Sequence, residues 1–308
     1  MINTYNLKQE KIKISLIYTV FGTVGVVAHF IPLTSSAIVF YRAVLGAAFI
    51  TISTYLRGQI IDFKSIVTNF KVLIFTGFFM GLNWVLQFEA FRVSSVAIGT
   101  VCYNTMPIFL VLIASIVFKE KISMKSAICI FVAMIGIVLV SNVIYTGISS
   151  NEVIGSIYGI LGAIFYALII ISNRYLSKIE TRDKVVFQFI FSAFIMLIYV
   201  LFISKGSLLF YGDDKNKNIV GLVCLILLGV FHTGFCYIHY FDSVSRLKAE
   251  TVAILTYIDP VVALFLSFFV LREKMTVLQL IGAILIFAST IANEFIKFDN
   301  KRTAKTQI

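Results

Sequence analysis

Apolar residues run along this chain in long blocks, not in the narrow stripes of a soluble amphipathic helix. Ten blocks each approach the roughly 20 residues that a helix needs to cross a ~30 Å hydrocarbon core. They predict helices over 12–31, 36–56, 70–90, 94–118, 122–142, 153–173, 184–203, 219–241, 250–271 and 276–296. The connections are short: Pro32 to Ser35 alone separates the first pair, and the longest polar interval, Ser204 to Asn218, reads as a loop. No interval is long enough for a soluble domain. The N-terminal stretch Met1 to Lys13 lacks a small-residue cleavage site, so the first block is expected to be a retained helix. The expected fold is an all-α integral membrane protein of ten transmembrane helices.

Composition agrees. The 308 residues are 59% hydrophobic and only 13% charged, with a mean hydropathy of +0.98. Soluble domains average about 25% charged residues, so lipid must solvate most of this surface. The net charge of +11 would suggest a nucleic-acid partner in a soluble protein. Here the basic residues sit in loops and tails, where they orient helices and meet anionic lipid head groups, so no nucleic-acid partner is expected. With the N-terminus inside, 19 Lys and Arg fall in inside segments and 6 in outside segments, Arg42 lying within the second helix. That bias predicts both termini on the cytoplasmic side of a cell membrane. Cys102, Cys129, Cys224 and Cys236 all lie inside apolar runs without metal-type or redox-type pairing, as small packing residues do.

A shift of 153 residues lays part of the first half on the second without a gap. Gly81 meets Gly234, Phe88 meets Phe241, Glu89 meets Asp242, Pro107 meets Pro260 and Glu120-Lys121 meets Glu273-Lys274. Two five-helix repeats follow, 12–142 and 153–296. Five spans is an odd number, so the second repeat must be inserted upside down. Inverted repeats with a site at their interface are a recurrent transporter plan.

The proline-bearing fourth and ninth helices and their endings, "FKEKIS" (118–123) and "LREKMT" (271–276), resemble the drug/metabolite transporter superfamily, in its EamA-type branch of duplicated five-helix units. The resemblance covers about residues 12–296 and departs at Cys129, where the repeat counterpart is Gly282. It implies a ten-helix bundle with a central cavity and alternating access without nucleotide hydrolysis. Its members move amino acids, vitamins, nucleotide-like metabolites and drugs, often outward.

Polar groups inside spans usually face a cavity or each other, because hydrocarbon leaves them unpaired at a cost of several kcal/mol. Asp259 stands about nine residues into helix 9, roughly 13 Å deep, beside Pro260, which frees the carbonyl of Thr256. Ion or proton coupling, a substrate amine and a structural ion pair all fit it. Arg42, about seven residues into helix 2, would attract a substrate carboxylate, pair with Asp259 or snorkel outward. On helix 3, Asn83 and Gln87 share a face with Trp84 beside them, and the repeat sets them against Cys236, Tyr240 and Tyr237 of helix 8. Tyr103 and Asn104 on helix 4 correspond to Thr256 and Tyr257 on helix 9. Asn83, Trp84, Gln87, Tyr103, Asn104, Tyr237, Thr256 and Tyr257 are therefore the expected binding ring, with interhelical hydrogen bonding as the alternative. His232 and His239 lie about 10.5 Å apart along one helix, too far to share a metal, and His29 sits near a helix end. Gly77-Gly81 and Gly155-Gly159 have the spacing of close helix contacts.

No metal-type carboxylate cluster, His-Glu-x-x-His or nucleotide loop is present; Asp213-Asp214 stands in a lysine- and asparagine-rich loop. The expectation is a cofactor-free secondary transporter of a small metabolite, ahead of a lipid flippase, a membrane enzyme or a channel.

Overall fold

A computed structural model describes residues 7–119, 124–141, 150–176, 179–203, 208–209, 214–247 and 255–306. Among them, seven helices are long and apolar enough to cross a membrane. They are α1 (Leu7–His29), α2 (Ser35–Leu56), α3 (Phe70–Val93), α4 (Val96–Val117), α6 (Asn151–Asn173), α7 (Thr181–Phe202) and α8 (Lys215–Tyr240). Three shorter apolar stretches, Ala127–Val140, Ile258–Phe269 and Val277–Asn293, occupy the other expected intervals, in helices α5 (Met124–Val140), α9 (Ile258–Phe269) and α10 (Val277–Thr306). The Glu120-Lys121 turn, the first residues expected in helix 9 and Asp213 lie outside the described residues.

Local chemistry sets the helix starts. The Thr34 hydroxyl accepts from the Ala37 amide, Ser95 from the Ile98 amide, and Asp214 from the amides of Asn216 and Lys217, each serving donors that a helix cannot satisfy internally. Helix α4 has a second cap from a distance: Glu273 accepts from the amides of Val96 and Ala97, at 3.0 and 3.1 Å, and also holds Ser267. The "LREKMT" segment thereby ties the second half to the first. The two non-glycine residues with left-handed backbone among those described, Lys119 (φ 56°) and Arg272 (φ 55°), are exact repeat mates, each preceding the glutamate of its motif.

The packing has the same twofold logic. α3 lies against α6 as α8 lies against α1, α4 against α6 as α9 against α1, and α3 against α7 as α8 against α2. Three further contacts, α2 with α7, α4 with α9 and α5 with α10, each pair a helix with its own counterpart. Large apolar side chains such as Phe131, Phe194, Phe265 and Ile284 remain exposed around the outside, where lipid would meet them. The buried interior between α2, α3, α7 and α8 is filled by Trp84, Phe88, Phe189, Met196 and Leu228.

The glycine pairs act as close-contact points. A Cβ on Gly159 would lie 2.8 Å from the Cys102 Cβ and 3.1 Å from the Gly99 carbonyl, and one on Gly77 would lie 2.6 Å from the Phe191 Cβ. Both positions face backbone or Cβ atoms, which have no room to yield. Gly159→Val is expected to destabilise the purified protein by about 1–3 kcal/mol through overpacking. Ile157→Val, on a lipid-exposed position of the same helix, should leave the unfolding midpoint almost unchanged. Comparable thermal melts for the two variants would contradict this packing.

Candidate functional site

Helix α4 is interrupted near its middle, and a matching turn stands immediately before α9. In α4 the helix stops at Tyr103, turns through Asn104 and Thr105, and restarts at Met106 with Pro107 in its new first turn. Before α9 the turn is at Thr256 and Tyr257, and the helix begins at Ile258 with Pro260 in its first turn. Proline is tolerated there because its missing donor would be unsatisfied anyway. The two breaks face a single cavity of about 310 Å³.

All ten residues singled out from the sequence line that cavity. α2 brings Arg42; α3 brings Asn83, Trp84 and Gln87; the α4 break brings Tyr103 and Asn104. α8 brings Tyr237, and the α9 break brings Thr256, Tyr257 and Asp259. Their hydrogen bonding separates them into two kinds. The buried Asn83 is committed: its Nδ2 donates to the Gly162 carbonyl at 2.8 Å and to the Tyr103 hydroxyl at 3.2 Å, joining α3, α4 and α6. Asn104 Nδ2 donates to the Thr100 carbonyl at 2.8 Å and so closes the end of its own half-helix. Gln87 bonds with no described side chain or backbone group and keeps its amide for the cavity.

Arg42 neither snorkels nor pairs with Asp259. It is 4% exposed, and its Nε donates to the Thr233 hydroxyl at 2.7 Å. Its guanidinium carbon lies 4.1 Å from the centre of the Trp84 ring and 5.8 Å from that of Phe88. Two aromatic faces stand in for a counter-ion. The guanidinium has five N–H donors, and among the described residues it bonds through Nε alone. Asp259 likewise pairs with no described cation. The cavity is therefore lined by a guanidinium and a carboxyl group that make no ion pair with each other.

The Thr233 hydroxyl is placed by an unusual stretch of α8. From Leu227 to Phe235 the helix widens to a π-helix, and Thr233 donates to the carbonyl five residues back, Leu228, at 2.8 Å. His232 bonds to the Leu227 carbonyl at 3.0 Å and to the Thr23 hydroxyl of α1 at 2.7 Å. It is thus a buried hydrogen-bonded histidine at a helix contact. Such widened turns cluster at functional sites, and nothing in the sequence pattern marks this one.

Sequence reasoning also missed the walls from α1, α6 and α7. Tyr18 and Tyr166 line the cavity; Tyr166 stacks on Tyr103 with ring centres 5.8 Å apart and planes 10° apart, and Tyr18 meets Tyr240 edge-on at 5.8 Å. Asn173, Lys184 and Gln188 line it as well. The usable signal was a polar residue inside an apolar run at Gln188. Lys184, counted from the sequence as a loop charge, instead lies in the first turn of α7.

Residues 12–142 and 153–293 each match the EamA-like transporter family. The chain is 26% identical over 279 residues to the uncharacterized transporter YxxF of Bacillus subtilis (strain 168), covering 90% of this chain and 86% of that one. An uncharacterized transporter of Clostridium kluyveri is 27% identical over 213 residues, 68% of this chain and 66% of its own length. A solved structure described as "Crystal structure of protein" superposes with a TM-score of 0.61 at 12% identity, covering 94% of this chain and 96% of that one, and so shares the fold. The chain belongs to the EamA-like transporter family and is a multi-pass membrane transporter.

The anchoring of Arg42 carries a direct expectation. Thr233→Val removes the hydroxyl that holds a buried charged group and should cost about 2 kcal/mol of stability. Thr233→Ser keeps the hydroxyl and should recover most of that loss. Equal melting of the two variants would contradict the bond.

Proposed function

We propose that this EamA-family transporter moves a small organic metabolite, such as an amino acid, by alternating access and without ATP. The observation that supports it best is the pair of unneutralised charges, Arg42 and Asp259, on one aromatic-lined cavity where both repeats meet. A buried guanidinium without a counter-ion is costly to keep. The cost is recovered when a solute brings a carboxylate to it and an ammonium to Asp259. The volume of about 310 Å³ lies at the low end of ordinary small-molecule sites. Tyrosines and the single tryptophan offer flat apolar surface, while Gln87 and the backbone at the two helix breaks offer orienting polar groups.

In this reading the near-symmetry of the halves gives two arrangements of similar energy, one open to each side. The Glu273 cap on α4 holds the end of the bundle expected to face outward. The 153-residue repeat assigns Glu120 the corresponding place at the other end. The charge bias of the loops supports cytoplasmic termini in a cell membrane. The direction of net movement is proposed as outward, following the family resemblance.

Purified protein in sealed liposomes should catalyse counterflow of labelled amino acids with no nucleotide present. Asp259→Asn should lower the initial rate by at least about tenfold, equivalent to ~1.4 kcal/mol, while shifting the melting temperature little. Arg42→Gln should raise the half-saturating concentration of carboxylate-bearing solutes. Chemical turnover without solute movement, or full flux in Asp259→Asn, would contradict the proposal.

A further inference from the structure

The cavity carries more positive charge than that reading uses. Besides Arg42 and Asp259, it is lined by Lys184, in the first turn of α7. α2 and α7 run antiparallel: Gln59 and Asp62, just past the end of α2, meet Arg182 and Asp183 at the start of α7. Midway along, a Cβ on Gly46 would lie 3.2 Å from the Phe189 ring. Counting 1.5 Å per residue from that crossing places the Lys184 backbone roughly 13 Å from that of Arg42 along the bundle. Lys184 therefore occupies the end of the cavity expected to face inward.

The neighbouring carboxylates are occupied elsewhere. Asp183 accepts from the Asp62 amide and pairs with Arg182 at 3.1 Å, and Glu180 pairs with Arg182 at 3.0 Å. No described carboxylate pairs with Lys184, and its ammonium makes no hydrogen bond to a described group. Gln188, one turn along the same face of α7 and 1% exposed, donates from Nε2 to Asn173 Oδ1 at 2.7 Å. That bond turns the Asn173 amide N–H groups away from Gln188, and they donate to no described acceptor. Two donor-only groups, an ammonium and an amide NH₂, thus line one cavity with no described carboxylate paired to either.

We propose that Lys184, with the Asn173 amide, forms a second anion-binding subsite, which takes the carboxylate or phosphate group of a solute at the inward end before it reaches Arg42. An ammonium is a suitable point-charge partner for either group. Two cationic side chains and one carboxyl group on the same cavity leave a net positive field that concentrates anions within it. The use of this subsite in transport rests on the reading above, but its test reads binding alone.

Trp84 is the only tryptophan and lines the same cavity, so its fluorescence reports on what enters. In the purified full chain at constant ionic strength, iodide quenching is compared with quenching by neutral acrylamide. Lys184→Gln should lower the iodide quenching constant about threefold and leave acrylamide quenching unchanged, while Lys184→Arg keeps the wild-type value. Succinate and inorganic phosphate should each protect wild-type Trp84 from iodide, and the more effective of the two names the preferred group. Equal iodide quenching in wild type and Lys184→Gln, or no iodide quenching in wild type, would overturn the subsite. A parallel fall with acrylamide would also overturn it, since the lysine would then be holding the cavity open. Absence of flux in liposomes would instead contradict the transport reading and leave the subsite standing.

Discussion

Inside hydrocarbon every backbone N–H and C=O must find a partner within the protein, and the architecture answers to that constraint. Most of the bundle meets it with continuous helix. Helix α4 instead opens at Asn104–Thr105, and Thr256–Tyr257 form the corresponding turn just before α9. Interrupted backbone of this kind is tolerated only where it is buried in protein or lines a polar cavity. The breaks are repeat mates to within a residue, and α4 and α9 pack on each other. The cavity follows from their meeting, and the surrounding helices are arranged to enclose it.

Charge placement builds on this frame. Arg42 is held in a buried position by Trp84, Phe88 and the Thr233 hydroxyl, without a carboxylate partner. The widened turns of α8 present that hydroxyl, and the contact of His232 with Thr23 fixes the same stretch against α1. Asp259 enters from the opposite repeat, in the first turn of α9. Arg42 is thus held by groups from both repeats, and it lines with Asp259 a space that the two repeats share. An ion pair between them would be the cheaper static arrangement, and the geometry withholds it.

Much of this was legible in the chain itself. The apolar blocks fell on ten apolar helices because a lipid-solvated helix must be apolar on nearly all sides, a signal that survives loose boundaries. Ends were less legible: α1 begins at Leu7, α7 at Thr181, and α10 runs to Thr306, since charged residues can continue a helix into water. Arg42 and Asp259 stood out as charges inside apolar runs, and the other eight cavity residues emerged from the 153-residue register, which aligns α3 with α8 and α4 with α9. Tyr18, Tyr166, Asn173 and Lys184 lay on helices the register did not highlight. A tyrosine or lysine near a helix end has an ordinary interfacial role, and no sequence pattern tells which way it faces. The π-helical stretch of α8 was invisible for a related reason, because its widening reflects tertiary hydrogen bonds and not local propensity.

The central claim is that one cavity between two inverted repeats is reached from both sides in turn. Gln87, which lines it without a described hydrogen-bond partner, is a suitable reporter. In a chain freed of Cys102, Cys129, Cys224 and Cys236, Gln87→Cys in sealed vesicles is treated with membrane-impermeant thiol reagents applied to one face at a time. The account predicts labelling from either face, with transported solute slowing both. Labelling from a single face under every condition would contradict it.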